Sequence, residues 1–454
     1  MKIVKLILIL IIGVISQYEL SAQNDSLKVW TLNQCVEYAH ENNIQVKQMS
    51  LMTESNKANL IQSKAELLPN LNASVSDRFS YGRAIDPYSN DFTEQNIQSL
   101  SASISSYATI FSGFRKFNTI KQNQYKLSSS LEELEEIKNS IALQVASAYL
   151  QILFDKELLD VSKRQLEISK EQESRTQILV NAGSLAKGNL LEIQAQLANE
   201  ELSLINAENN LKTSYLNLTQ LLELDSTGNF EIEVPEIEEP SAEIFIAHTD
   251  TIYEESIDLP RIKKEEFNLQ SSESGLKIAK GGLYPTLYAQ AGYGSGFSSA
   301  ASKYDPITFQ PLTYSYSDQF NDNLNFSFSI GLSIPIFNNL QVKTNITNSR
   351  LNVENSKYQL QLAKNNLYKD IQQASNLAYA ALARYKASKK AVDAQTESFS
   401  YTKQKFDLGL VNSVDYNTAK NQLTKVESDM VQSKFDFVFR INILNFYRGM
   451  PFEL

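Results

Sequence analysis

The stretch LNFSFSIGLSIPIF, residues 324–337, alternates apolar and small polar side chains with a period of two. Apolar residues occupy every second position from Leu324 to Ile336, and asparagine or serine fills most of the gaps. Because successive side chains of a β-strand point to opposite faces, the pattern predicts a strand with one apolar and one polar face. Much of the remaining chain has the pattern of long, charged helices.

The composition limits the class of protein. Apolar residues make up 42% of the 454 residues and charged residues 21%, which argues against a wholly disordered chain. The net charge is −10, and no run of lysine and arginine is long enough to neutralise a phosphate backbone. We therefore expect no nucleic-acid partner. The single cysteine, Cys35, allows no intrachain disulfide and no cysteine-based metal site.

The first 22 residues have the pattern of a secretory signal peptide. Lys2 and Lys5 precede an apolar segment from Leu6 to Ile15, and small residues at Ser21–Ala22 precede the expected mature start at Gln23. The apolar segment is too short for a membrane span, and a retained N-terminal anchor is the alternative. No later stretch reaches the ~18 apolar residues of a membrane helix, so an exported chain of this kind would enter a membrane only through strands.

Two parts of the chain repeat one pattern. Gly183 matches Gly409 at an offset of 226 residues, and scattered residues from Phe111/Phe337 to Glu201/Glu427 match in the same register. Pro69 matches Pro285 at an offset of 216, so the second part carries a ten-residue insertion. These offsets predict a tandem duplication.

The duplication predicts the organisation of the whole chain. We expect a signal peptide at 1–22, a first repeat at 23–230, a linker or insertion at 231–258 and a second repeat at 259–454. Each repeat is predicted to contain an opening helix (31–68; about 259–284), a β-hairpin (71–111; 286–337) and long helices (114–227; 338–448), the last followed by a short C-terminal tail. The linker is rich in proline and glutamate, and is either a solvated connection or a functional element.

The long helical segments carry a heptad repeat. In the first repeat Val145, Ile152, Leu159 and Leu166 are seven residues apart. A strict heptad keeps one seam facing a neighbouring helix and predicts a left-handed supercoil. Seventy helical residues would form a rod of ~100 Å, several times the ~30 Å of a hydrocarbon core. We interpret the apolar seams as helix packing and not as ligand sites.

The four predicted strands have the length and alternation of membrane strands. Each is about 9–13 residues long, enough to cross a bilayer at a tilt, with lipid on one face and water on the other. A soluble sandwich with one buried face is the alternative, but the sequence offers only two hairpins. Strand edges cannot stay unpaired in lipid, and the smallest closed barrels have about eight strands. The pattern thus predicts a barrel shared between subunits.

With these features, the chain resembles the TolC-like family of outer-membrane efflux channels. The resemblance rests on the duplicated helix–hairpin–helix plan, the proline before each first strand, SIPIF at the end of the last strand, and the glycine turn in KFDLGLVNSVDYNTAKNQL, residues 405–423. It implies an α+β membrane protein: a homotrimer with a long antiparallel α-helical coiled-coil barrel in the periplasm and a shared transmembrane β-barrel, four strands per protomer and twelve in the trimer. It further implies contact with outer-membrane lipid, a periplasmic adaptor protein and an inner-membrane pump.

The resemblance also implies roles for the glycine turns. Gly183 and Gly409 match the turns at the tip of the tunnel, and Gly188 follows the first of them. These turns are expected to dock the adaptor.

Residues just beyond the turns match the tunnel entrance of the family. Asp415 matches an entrance carboxylate, and three copies would make an anionic ring that attracts cations. Thr418 stands where a second carboxylate often occurs; in the first repeat Asn189 stands where an acid often occurs, and Glu192 follows one turn later. The alternative for Asp415 is an acid at a helix N-terminus that complements the helix dipole.

No catalytic, cofactor or metal site is predicted. GSLAKGN, residues 183–189, has the glycine spacing of a phosphate loop but lacks its Lys-Ser/Thr pair. His40 and His248 are the only histidines and are far apart in sequence. The leading hypothesis is therefore a non-enzymatic exit duct of a tripartite efflux or type I secretion system. The alternative is a non-transport structural coiled-coil protein or adhesin that spans the periplasm and has a barrel anchor.

Overall fold

The computed structural model describes residues 28–450 except 86–89, 91, 94–95, 226–229, 236–247, 305, 309 and 313. The predicted signal peptide, the expected mature start at Gln23, the middle of the predicted linker and the end of the C-terminal tail lie outside the described residues. Most of the described chain is helical, and one antiparallel sheet extends from the helices.

The described residues form nine helices. They are α1 (Leu32–Asn42), α2 (Ile44–Ala65), α3 (Arg115–Asn181), α4 (Lys187–Leu221), α5 (Thr249–Ser256), α6 (Pro260–Gly281), α7 (Tyr316–Asp322), α8 (Gln341–Asp407) and α9 (Ser413–Tyr447). The helix α3 packs along α4, α8 packs along α9, and α6 lies against both α3 and α8. Helices α3 and α8 have 67 residues each, which corresponds to a length of about 100 Å. Among the described helices, none is both long and apolar enough to cross a membrane.

Four long strands form the main sheet, and shorter strands lie outside it. The strands are β1 (Lys28–Trp30), β2 (Asn72–Ser80), β3 (Ala84–Ile85), β4 (Phe92–Thr93), β5 (Ile97–Phe111), β6 (Phe230–Ile232), β7 (Thr286–Ser298), β8 (Lys303–Tyr304), β9 (Pro311–Leu312) and β10 (Asn325–Ser333). The main sheet has the order β10-β7-β5-β2, with every neighbouring pair antiparallel. The two hairpins therefore join through β5 and β7, and β2 and β10 form the edges.

Three pairs of helices in the two predicted repeats share their lengths and spacing. Helices α8 and α9 begin and end 226 residues after α3 and α4, and α6 begins and ends 216 residues after α2. The strand-to-helix junctions also match, because Gly113–Phe114 and Asn339–Leu340 all have positive φ, from 51° to 63°. Two successive residues in the left-handed region thus connect strand to helix at both junctions.

The expectation of one opening helix at 31–68 is wrong. The chain breaks at Asn43, which ends α1 and begins α2. The Asn43 side chain accepts a hydrogen bond from the Gln45 amide at 2.9 Å and donates one to the Leu221 carbonyl at 3.0 Å. Asn43 thus supplies hydrogen bonds to a backbone amide at the start of α2 and to a backbone carbonyl at the end of α4. Both bonds stabilise the break.

The expectation that the two hairpins supply all the strands is also wrong. Besides the main sheet, β1 and β6 form a parallel pair, and β3–β4 and β8–β9 form two small hairpins. The predicted linker 231–258 contains α5 and most of β6. Tyr149 from α3 is buried beneath β1 and β6, and its hydroxyl lies 2.7 Å from the Glu233 carbonyl and 3.2 Å from the Trp30 carbonyl. The start of the described chain is thus tied to the region between the repeats.

Candidate functional site

The main sheet has an apolar and a polar face, and Asp77 and Gln98, hydrogen-bonded to each other, lie at one end of the apolar face. The register places Ile104 opposite Tyr293, and Tyr293 opposite Phe326, so the apolar positions of all four strands share one face. Val75 and Phe326 on this face are 75% and 70% exposed. The members are Ala73, Val75, Phe79, Leu100, Ala102, Ile104, Leu287, Ala289, Ala291, Tyr293, Phe326, Phe328, Ile330 and Leu332. The alternation predicted from the opening stretch is confirmed for residues 325–333.

Hydroxyl groups and glycines dominate the opposite, polar face. Ser74 and Ser103 pair across β2 and β5 with their hydroxyl oxygens 2.9 Å apart. The small residues of this face are Ser74, Ser76, Ser80, Ser99, Ser101, Ser103, Ser105, Thr109, Thr286, Gly292, Gly294, Gly296, Ser298, Ser327, Ser329, Gly331 and Ser333. Among the main-sheet residues on this face, Arg78 is the one charged side chain. The face suits water and not lipid.

At the opposite end of the molecule, two similar turns join the long helices. We call them the tip turns and define them as residues 182–186 and 408–412. Gly183 and Gly409 adopt φ of +75° and +72°, and in each turn the next amide bonds back across the helix end, from Ser184 to Leu179 and from Leu410 to Lys405. This is the Schellman motif, which favours glycine because the left-handed conformation strains any residue with a Cβ.

Two glycines of the tip turns, and Gly188 in the first turn of α4, have empty space where a side chain would lie. A Cβ added at Gly183, Gly188 or Gly409 would meet no heavy atom within 4 Å. Packing within the described chain therefore does not require glycine at these three positions, and the backbone conformation requires it at Gly183 and Gly409.

The structure brings Asn189 and Glu192 together at Ser413. The Ser413 hydroxyl is fully buried, lies 3.1 Å from Asn189 Oδ1 and is also hydrogen-bonded to Glu192 Oε2. These contacts join the start of α4 to the start of α9. Of the predicted entrance residues, the two from the first repeat thus contact the second repeat.

Asp415 and Thr418 remain exposed, one turn apart on α9. The Asp415 amide donates a 2.8 Å hydrogen bond to Asn412 Oδ1, which caps the helix. Asp415 therefore lies in the first helical turn, where an acid complements the dipole, and its side chain is exposed. Both roles that the sequence suggested are compatible with this position.

A second contact ties the repeats together behind the tip turns. Arg175 Nη1 of α3 lies 2.8 Å from Asp407 Oδ1 at the end of α8. Both residues border a cavity of about 600 Å³ that extends to Asp415. This ion pair is partly exposed, so solvent screens it.

Sequence reasoning missed a buried lysine deeper between the repeats. Lys420 of α9 is 1% exposed, and its Nζ lies 2.9 Å from Glu200 Oε1, 2.6 Å from Ser169 Oγ and 3.0 Å from the Gln165 carbonyl. Burial lowers the pKa of Lys420, while the hydrogen bond and charge of Glu200 act in the opposite direction. Nothing in the local pattern of α9 marks this lysine, because its partners lie more than two hundred residues away.

The described residues contain no cluster of three or more histidine, cysteine or acidic side chains that could hold a metal ion. His40 contacts the Lys138 carbonyl at 3.1 Å, and His248 precedes α5.

Comparison with known proteins places the chain among channel proteins. The model of the outer membrane efflux protein family matches residues 36–223 and 252–436. The chain is 19% identical to the outer membrane protein TolC of Vibrio cholerae over 92% of this chain and 90% of that protein, and 23% identical to TolC of Escherichia coli over 85% and 74%. Its fold is similar to that of the Campylobacter jejuni CmeC outer membrane channel, with a TM-score of 0.76 and 17% identity over 93% and 86% of the two chains.

Proposed function

The chain belongs to the outer membrane efflux protein family, and from that membership we propose that it is the exit duct of a tripartite efflux or type I secretion system. The protein is a TolC-like efflux channel of the outer membrane with helices in the periplasm, and its family is one of channels and not of enzymes. The proposal adds the assembly, the partners and the entrance.

The observation that carries the proposal is a four-stranded sheet with two open edges and an exposed apolar face. Within the described chain β2 and β10 each pair on one side only. In lipid each unpaired backbone group costs several kcal/mol, so the edges require partners. Joining β10 of one copy to β2 of the next satisfies both edges. Three copies, the number favoured by the TolC-like resemblance, would close a barrel of twelve strands with its apolar face outward and its polar face around water.

The shared lengths of the long helices support the proposed duplication. Each repeat would supply one hairpin to the barrel and one long antiparallel helix pair to the periplasmic tunnel. We propose the expected organisation of 1–22, 23–230, 231–258 and 259–454 with one change, which concerns the start of the second repeat. The helix α5, at 249–256, occupies the place of α1 at the 216-residue offset, so the second repeat begins before 259.

The tip turns are the proposed docking site for a periplasmic adaptor, which would link the duct to an inner-membrane pump. Gly183, Gly188 and Gly409 leave open backbone there, and this supports contact with a partner. The proposed entrance lies next to the tip turns. Asp415 would form an anionic ring in the trimer, and the contacts of Ser413 with the first repeat would hold the entrance helices together.

Single-channel recording tests the proposal. Purified protein added to planar bilayers should produce discrete conductance steps of one dominant size. A protein that inserts but never conducts would contradict the duct and favour the structural anchor or adhesin. Cross-linking from cysteines placed at Gly183 and Gly409 gives an independent readout, because only a duct should capture an adaptor at the tip turns.

A further inference from the structure

A pair of tyrosines interrupts the hydroxyl-rich polar face of the sheet. The rings of Tyr107 on β5 and Tyr288 on β7 have centroids 5.5 Å apart and planes inclined by 28°. The register puts Tyr107 opposite Gln290 and Tyr288 opposite Thr109, so both side chains lie on the polar face. Tyr107 is 41% exposed and Tyr288 is half-buried. Two rings thus stand open to solvent on a face that otherwise carries no aromatic side chain in β2, β5, β7 or β10.

The neighbouring strand leaves room for this pair. Gly331 of β10 lies opposite Tyr288, and a Cβ at that glycine would fall 2.2 Å from Tyr288 Cζ and 2.4 Å from its hydroxyl oxygen. Any side chain at position 331 would therefore displace the ring. The ring of Tyr288 lies across the glycine backbone, a contact that also shields a β-strand from solvent. A purely structural role is thus the competing explanation.

The pair lies at the end of the sheet that meets the helices. Two residues before Tyr288, the Thr286 hydroxyl accepts a 3.2 Å hydrogen bond from Arg115 of α3. The charged residue of the polar face, Arg78, is at the far end of the sheet. It lies opposite Ser99 of β5, which in turn lies opposite Ser298 of β7. Ten residues of strand, about 33 Å, separate Ser298 from Tyr288. The rings are therefore distant from Arg78, and the charge beside them is the Arg115 guanidinium at Thr286.

We propose that Tyr107 and Tyr288 form a binding subsite for small aromatic solutes where the barrel meets the helical tunnel. The proposal rests on the proposed function, because only closure with the polar face inward places the rings in the passage. Three copies would set six rings around it. Aromatic faces stack on flat solutes and attract cations through the ring quadrupole, which the hydroxyls and glycines around them cannot do.

Channel block by two matched cations tests the subsite. Phenyltrimethylammonium and tetramethylammonium carry the same headgroup and differ by one ring. In planar bilayers the phenyl compound should block the wild-type channel at the lower concentration. The Y107S/Y288S variant should need about fivefold more of it, the size of one ring contact, with tetramethylammonium block unchanged.

Three further variants separate recognition from structure. Y107F/Y288F keeps both rings and should retain the wild-type block, while G331A should weaken it by displacing Tyr288. Y293S removes an exposed ring from the apolar face and should leave phenyltrimethylammonium block unchanged. The Y107S/Y288S channel could instead conduct, melt at a lower temperature than the wild type and be blocked at the wild-type concentration. That result would overturn the subsite and leave the tyrosines a structural role. Absence of conductance in the inserted wild-type protein would overturn the duct and the subsite together.

Discussion

Lys420 Nζ and Glu200 Oε1 lie 2.9 Å apart in the interior, and they join helix α9 of the second repeat to α4 of the first. The lysine side chain is 1% exposed and the glutamate side chain 11%. Removing two charges from water is costly, and only their mutual attraction and further hydrogen bonds offset that cost. Ser169 and Gln165 supply those bonds from α3. The network therefore holds three helices in one relative position.

The first prediction concerns this ion pair. K420M or E200L alone leaves an unpaired buried charge and should destabilise the protein by about 3–5 kcal/mol. The double variant K420M/E200L removes both charges and should recover most of that loss. Thermal unfolding followed by helical circular dichroism measures each variant. A double variant whose loss equals the sum of the single losses would show that the two residues are not coupled.

The second prediction uses two adjacent residues on opposite faces of β10. Ile330 belongs to the apolar face and Ser329 to the polar face. A lysine facing lipid costs about 2–4 kcal/mol at the bilayer midplane, whereas one facing water does not. I330K should therefore lower the yield of membrane-inserted protein sharply, and S329K should insert as the wild type does. The inserted fraction of each variant is measured by extracting isolated membranes and quantifying the protein that remains. Equal insertion of the two variants would contradict the assignment of the faces.

The two faces could be predicted from sequence because the strand period is strict. From Asn325 to Ser333 apolar and polar positions alternate, with a glycine at one polar-face position, 331. The ends of the long helices were also predictable, because Gly183 and Gly409 mark positions that need a left-handed backbone. Such signals are local, and each can be found within one window of sequence.

The features that sequence reasoning missed depend on distant partners. The break at Asn43 depends on the Leu221 carbonyl, 178 residues away. The pairing of β1 with β6 joins strands of three residues, too short to show a period. The burial of Lys420 depends on Glu200 and on α3. From the sequence of α9 alone, a lysine is predicted to be exposed.

The third prediction concerns the contact of α6 with the junction between β5 and α3. A Cβ at Gly281 would lie 2.7 Å from the Gly113 carbonyl oxygen and 2.4 Å from Arg115 Cγ. G281A should destabilise the protein by about 1–3 kcal/mol, as overpacking does. Gly188 is the matched control, because it also lies within a helix but has open space around it. G188A should be neutral or slightly stabilising. Equal melting temperatures for the two variants would contradict the close approach.

The fourth prediction concerns the entrance. D415N removes three proposed charges from the trimer and should lower the preference for cations and the block by divalent cations. T418D adds a carboxylate one turn along the same exposed helix face and should raise both. Reversal potentials across a salt gradient measure the preference at low ionic strength, where screening is weak. If neither variant changes the cation preference or the block by divalent cations, Asp415 does not line the entrance and acts only as an acid at a helix N-terminus.

The central claim is that one chain supplies too few strands to close a barrel, so that three copies share one. The mass of the purified protein in detergent, measured by light scattering with the detergent contribution subtracted, tests it most directly. We expect a single species with the mass of three chains. A stable, detergent-free monomer with the native content of sheet would contradict the account.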